Sequence, residues 1–434
     1  MTNKPHIYHG EWWVPAKADP NGNGMFPMVQ EGYERKYTGT LTYNEEGDSV
    51  LELIHIPSFP YSKHYKQNSV MWGMTLDGHI ITLFGVVMMD WYWDIDIQEH
   101  KFSSSKFKVA YILIGEHIIS ENDARFGSCV VQFPYLRNWA FHDNITRSNA
   151  GTFVSYKSPV FAEKLLETTN EEALWRLWQG QEIERTIHDL RITQTTTLEI
   201  EALDTISIRS CMRHIGEFAQ FLSIALYCDQ NPTEVKFVNK ENKRESIFLF
   251  RKEASVDPSV FSLIKFGILK DKLPKMLNTW HEKFEKMAPI SNYLIDSLQK
   301  KNRFDVPDFL IIAQALDGYH KRFVNKKDGK DIQKYKDQIE ILLNQFKDVK
   351  AIEKCHIKPE VLTDSRNYYS HLFPDEEIKS AVDGEDLLWL TEKCKILLTC
   401  CILNLLGLTN KEINICCEQS PISQIIDSFP LEID

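Results

Sequence analysis

The spacing of apolar residues changes once along this chain, near residue 255, and that change constrains the fold more than any other feature. Up to about Ser255, apolar and polar residues mainly alternate, with β-branched and aromatic side chains in the runs and turn formers between them. YTGTLTYNEEG, HIITLFGVVMM, FKVAYILIGEHII, GSCVVQFPYL, GTFVSYK, TTTLEIEAL and ESIFLFRKE carry the two-residue period of strands with one face buried. Two helices are expected to interrupt them. One covers Asn170 to Gln181, and the other Ser210 to Tyr227, where Ile215, Phe218, Phe221, Leu222 and Ala225 recur at helical spacing.

After ASVDPSVF at 254–261 the pattern becomes amphipathic with a helical period. Helices are expected over Lys272 to Met287, Ser291 to Lys301, Val306 to Phe323, Asp331 to Lys347, Val361 to His371 and Asp386 to Gly407. Short polar connections such as NKKDGKD at 325–331 are those of a helical bundle. Pro374 should end the helix that carries SRNYYSH, and Gly407 stands where a C-terminal cap belongs. The class is α+β: a β-rich, sandwich- or barrel-like domain over 1–258, then an α-helical bundle over 259–434.

A chain of 434 residues, 43% hydrophobic, has ample apolar surface for two or three domains. Its longest strongly apolar run, Ile396 to Leu408, is too short to cross a bilayer and is interrupted by Thr399 and Asn404, so no membrane span is expected. MTNKPHIYHGEWW lacks the apolar stretch of a secretory signal, and the expected location is the cytoplasm. The nine cysteines form no C-x-x-C pair, which argues against a disulfide scaffold and a structural zinc site. They read as small buried hydrophobes.

The formal charge of −11 argues against a nucleic-acid partner until its distribution is considered. Residues 262–352 hold 18 Lys and Arg against 12 Asp and Glu, whereas the segments before and after carry net charges of −9 and −8. That basic stretch is either a solvated helix face or a surface for phosphate.

Three stretches place Arg five residues before His: Arg137 to His142 (RNWAFH), Arg209 to His214 (RSCMRH) and Arg366 to His371 (RNYYSH). About 0.45 such matches are expected by chance at one offset, so context must choose between them. RNWAFH lies among Phe133, Tyr135 and Trp139, as a core segment would, and His214 can lie on the polar face of its helix. RNYYSH sits in the helical half, with Asn367 directly after the Arg. A separate acidic cluster, MDWYWDIDIQEH at 89–100, offers Asp90, Asp94, Asp96, Glu99 and His100 for metal-dependent hydrolysis, although acidic groups among Trp and Tyr more often cap a loop.

On these residues the helical half resembles the HEPN ribonucleases, which carry an Arg-x4–6-His motif, often with a polar residue after the Arg. The stretch FDVPDFLIIAQALDGYHKRF at 304–323 is similar to the helix of ApeA-like HEPN domains that carries an acidic residue and a His, here Asp317 and His320. The family more often has Glu at the position of Asp317. The resemblance covers roughly 265–410, and HGEWWVPAK with MTLDGHIITLFG at 74–85 extends it to the N-terminal domain of ApeA-like antiphage proteins.

The resemblance implies an endoribonuclease that needs no metal or cofactor, acts on RNA with tRNA among the candidates, and dimerises through the HEPN domain. It also implies a phage-encoded protein as trigger. The residue chemistry fits: imidazole titrates near neutrality and can move protons, and guanidinium grips phosphate oxygens. His371 is then the acid or base, Arg366 the stabiliser of the transition state and Asn367 an orienting group. Asp317 and His320 either support Arg366, join the cleft or form a surface pair three residues apart. Tyr368 and Tyr369 either stack on bases or pack the bundle. Five residues of helix separate Arg366 from His371 by about 140°, so one copy is an incomplete site. The alternative is a non-catalytic HEPN module that binds a nucleotide or a partner.

Overall fold

A computed structural model of the chain describes residues 5–15, 36–45, 47–54, 69–93, 103–140, 145–147, 154–156, 163–170, 172–185, 190–251, 261–299, 306–324, 334–371 and 380–430. Six antiparallel strands close a barrel: β1 (His6–Trp13), β2 (Tyr37–Tyr43), β3 (Ser49–Ile54), β4 (Ser69–Thr75), β5 (Ile80–Trp93) and β6 (Ser103–Val109). Their ring order is β5-β4-β1-β2-β3-β6, and β6 returns to β5. Alternation fills the interior with Trp12, Leu41, Tyr43, Leu51, Leu53, Ile81, Leu83 and Phe107.

Closure depends on a bend in β5. Ile81 and Leu83 point inward before Gly85, and Val86 does so after it, because one extra residue of β5 shifts the register against β4. Gly85 has φ +63°, and a Cβ there would meet the Cβ of Ala110 at 2.7 Å. A second close fit joins β1 to β4. Trp12 lies opposite Gly73, where an added Cβ would stand 2.3 Å from the indole, so HGEWW and the strand entering MTLDGHIITLFG are structural partners.

An open antiparallel sheet continues from the barrel through β7 (Tyr111–Ile114), which pairs with the first half of β5. It comprises β8 (Arg125–Gln132), β11 (Glu163–Thr169), β12 (Ala173–Arg185), β13 (Leu190–Ser207), β14 (Glu234–Val238) and β15 (Glu245–Leu249). A short α1 (Leu136–Trp139) follows β8, β9 (Ile145–Arg147) and β10 (Val154–Tyr156) form a separate ribbon, and α2 (Ile208–Leu226) packs on β13 and β8.

The helix expected over Asn170 to Gln181 is instead the strand β12. Ala173, Trp175, Leu177 and Gln179 are buried and their intervening neighbours are not, which is a period of two. Its Ala, Leu and Gln favour helices, but pairing with β11 and β13 overrides propensity, and Arg176 bonds across the strands to Glu167 and Glu201.

The remaining chain is helical: α3 (Phe266–Leu269), α4 (Leu273–Gln299), α5 (Val306–Tyr319), α6 (Tyr335–Gln345), α7 (Lys350–Cys355), α8 (Pro359–His371), α9 (Gly384–Leu405), α10 (Asn410–Cys417) and α11 (Pro421–Asp427). A π-helical turn, His320–Val324, continues α5. The two helices expected on either side of Pro289 are one. α4 runs through the proline because Met287, Ile290 and Leu294 are all buried on the same side, and the Ser291 hydroxyl lies within bonding reach of the Met287 and Ala288 carbonyls.

α9 is the central helix, apolar nearly all round and packed by α4, α5, α6, α7 and α10. Gly407, at φ +91°, closes it as expected. The Gly407 and Leu408 amides donate to Asn404 and Leu403, the paired bonds of a Schellman cap. No helix among the described residues is long and apolar enough to cross a membrane. All nine cysteines are buried and free, and burial pushes the thiols of Cys355 and Cys416 up to about 12. Such thiols are not nucleophiles.

The bundle and the open sheet share one continuous apolar core, separate from the barrel's. Trp139 donates its indole N–H to the Ile264 carbonyl at 2.7 Å, Trp280 donates to the Glu217 carbonyl at 2.9 Å, and Thr168 donates to the Pro274 carbonyl at 3.1 Å. The boundary placed at 258/259 lies outside the described residues.

Candidate active site

The orientation of α8 is fixed by what it buries. Leu362 and Ser365 are inaccessible, and the half-buried Tyr369 meets Phe309 of α5 edge to face at 6.2 Å. Segment 380–382 fastens the same side. Ser365 accepts the Val382 N–H at 3.1 Å, Tyr369 donates to the Val382 carbonyl at 3.1 Å, and Ser380 bonds to Asp364. At about 100° per residue the opposite arc presents Arg366, Asn367 and His371 in turn, across roughly 140°. His371 is exposed in the last turn.

Two neighbours hold the Arg366 guanidinium. Its Nη1 donates to Asn367 Oδ1 at 3.1 Å, and its Cζ lies 5.4 Å from the centre of the Tyr335 ring on α6. Such a stack contributes about 0.5–2 kcal/mol, more as water is excluded. Tyr335 is anchored in turn, its hydroxyl donating to the Ala313 carbonyl of α5 at 3.1 Å. Burial pushes the Tyr335 phenol well above its ordinary range, with the Cys394 thiol adding to that and Arg366 opposing it. The phenol therefore stays protonated and acts as a platform rather than a base. Nothing in the spacing of the sequence singles out Tyr335, which comes under Arg366 only through the crossing of α6 and α8.

Asp317 lies one helical turn beyond Ala313 and pairs with Lys321 at 2.7 Å rather than with Arg366. Its link to Arg366 is indirect, since both act electrostatically on the Tyr335 hydroxyl. His320 does not form a surface pair with it. The imidazole is fully buried, neither ring nitrogen has a hydrogen bond, and burial lowers its affinity for a proton, partly offset by Asp317. It is a neutral core residue in this arrangement. Tyr369 packs the bundle, and Tyr368 lies half-buried against it, edge to face at 4.9 Å.

The other Arg–His stretches are placed differently. Arg209 is exposed, but His214 is wholly buried rather than on a polar face, and its ring stacks on His281 at 5.6 Å. Arg137 is exposed and Trp139 buried, while His142 lies outside the described residues. Asp90 falls within β5, and Asp94, Asp96, Glu99 and His100, like Pro374, lie outside the described residues. Of the motifs with both ends described, RNYYSH alone keeps both Arg and His accessible.

Four of the twelve described Lys and Arg of the basic stretch stand in ion pairs. Lys272 meets Glu412, Lys336 meets Glu360, Lys350 meets Glu418 at 3.2 Å and Lys321 meets Asp317. These lysines belong to a solvated, ion-paired face, three of them pairing with the acidic segment that follows.

A closed barrel, an open sheet and a helical bundle with an accessible Arg-x4-His helix define a protein of two parts, β-rich and HEPN-like. The chain belongs to the ApeA family: the model for ApeA N-terminal domain 1 matches residues 7–280, and that for the Apea-like HEPN domain matches residues 310–412. No curated protein and no solved structure matches it. This architecture is consistent with an antiphage, nuclease-like role, and HEPN domains as a family suggest RNase activity.

Proposed function

We propose that the chain is an antiphage endoribonuclease that cuts cellular RNA without a catalytic metal, and that the β-rich half senses infection or restrains the HEPN half. The observation that carries this reading is the placement of Arg366, Asn367 and His371 on one accessible arc of α8, with Arg366 aligned by Asn367 and Tyr335. In the reaction, one His371 removes the proton from a ribose 2′-hydroxyl. That oxygen attacks the adjacent phosphorus and the bond to the 5′-oxygen breaks. A second His371 protonates the departing oxygen, leaving a 2′,3′-cyclic phosphate and a 5′-hydroxyl. Arg366 binds the phosphate oxygens as negative charge grows on them, a role worth about 10²–10³ in rate.

The second His371 comes from a second chain. Arg366 and His371 diverge by about 140° on α8, and a two-fold axis through the HEPN bundles would bring two such arcs to one cleft. RNA, tRNA included, is the substrate class, and a phage-encoded protein is the proposed trigger. The test is cleavage of purified RNA in buffer without divalent metals, with end chemistry read by ligation. Cyclic-phosphate and 5′-hydroxyl ends, absent with His371→Ala, are expected. RNA binding without cleavage by any form of the chain would instead favour the non-catalytic HEPN module.

A further inference from the structure

The cluster of titratable side chains best placed for a further function lies between α2 and α4, far in sequence from RNYYSH. His214 and Glu217 stand three residues apart on one face of α2, and His281 enters from α4. One donor atom from each lies within 4.8 Å of the other two. Glu217 Oε2 is the hub, 2.6 Å from His281 Nδ1 and 3.7 Å from His214 Nδ1. His214 is wholly buried, Glu217 nearly so, and neither nitrogen of His214 has a hydrogen bond. A buried imidazole whose Nδ1 faces a carboxylate at 3.7 Å without a hydrogen bond is expected to hold something there.

We propose that His214, Glu217 and His281 bind a divalent transition metal, Zn²⁺ by the chemistry of the donors. Two imidazoles and one carboxylate are a common zinc set, and a tetrahedral ion needs ligand atoms only slightly rearranged from these spacings. The surroundings match those of metal-bound histidine. The outer nitrogen of His214, Nε2, faces the Glu172 carboxylate at 3.3 Å, the arrangement that fixes the tautomer and leaves Nδ1 free for the ion. Arg213 holds the outer side, bonding to Glu172 and approaching Glu217 Oε1 at 3.7 Å. Trp175 walls the pocket edge-on against both imidazoles. His281 keeps 19% of its side chain exposed, which leaves a route for the ion and a water as fourth ligand. The ion would fasten the β-rich half to α4, the helix that leads into the bundle, and takes no part in the proposed RNA chemistry.

The test is metal analysis of the full-length protein purified without chelators, together with Co²⁺ titration after mild chelation. About one zinc per chain is expected, with the visible d–d bands of tetrahedral Co²⁺ and a melting temperature several degrees lower after chelation. His281→Gln should lose the metal while the chain stays folded, because its side chain sits at the accessible edge. No bound transition metal, no Co²⁺ bands and an unchanged melting temperature would overturn the proposal and leave the cluster a buried ion pair of Glu217 with two histidines. The Co²⁺ spectrum is read on the wild type, so a variant that failed to fold would not spare the proposal.

Discussion

Arg366 has two partners within its own chain, and they separate its charge from its shape. A lysine keeps the charge but loses both the planar stack on Tyr335 and the forked grip on phosphate. Arg366→Lys is therefore expected to cut RNA about 10²-fold more slowly than wild type, close to Arg366→Ala, in a single-turnover cleavage assay. His320 gives the opposite expectation. Being neutral, buried and without hydrogen bonds, it should tolerate His320→Leu with unchanged or higher stability by denaturant unfolding, and with cleavage retained. Because burial depresses its proton affinity, the unfolded chain binds the proton more tightly. His320 thus costs stability as pH falls below about 6.5, and the leucine variant should lose less stability there. At this scale the sequence places Arg366, Asn367 and His371 on one helix, and α8 carries all three. The fate of Asp317 and His320 was not legible, because the π-helical turn and the Lys321 pair decide where they point.

At the scale of elements, α9 hides a charged group that apolar patterning passes over. Lys395 lies in the core between Asp308 at 3.3 Å and Glu392 at 3.0 Å, all three nearly inaccessible. Removing the cation leaves two buried carboxylates, so Lys395→Met should cost about 3–5 kcal/mol in urea unfolding. A second link joins α10 to the turn before α4. Lys272 and the cap at Thr409 together hold the Glu412 carboxyl at about 2, far below the ordinary glutamate range. A depressed carboxyl stabilises the fold above its unfolded pKa, about 4.3, and the contribution is lost as pH falls toward 2. The melting temperature of Glu412→Gln should thus fall below wild type at pH 7, with the gap closing as pH falls from about 4.5 toward 2.

Periodicity makes α2, α5, α6, α8 and α9 legible, whereas α1, α3, α7, α10 and α11 are too short to show a helical period. Pro289 looked like a break, but buried neighbours carry α4 through it. The segment from Ala173 looked helical by composition, although the burial of Ala173, Trp175 and Leu177 alternates as in a strand. The strand alternation allows a sandwich or a barrel, and the bend at Gly85 with β6 returning to β5 is what decides for the barrel.

For the whole molecule, the two cores divide the chain differently from the change in periodicity. The barrel has its own interior, while the open sheet and the bundle share one. Residues 259–434 expressed alone would uncover the side of α4 that Glu217 and the rest of α2 cover. That fragment should bind a hydrophobic dye and melt without a sharp transition, in contrast to the full chain. The account's central claim, a metal-independent RNase built around Arg366 and His371, is tested most directly by sequencing RNA ends from phage-challenged bacteria. Wild type is to be compared there with the Arg366→Ala, His371→Ala double variant. The account predicts new 5′-hydroxyl ends in infected wild-type cells alone, and protection from phage without any RNA cleavage would contradict it.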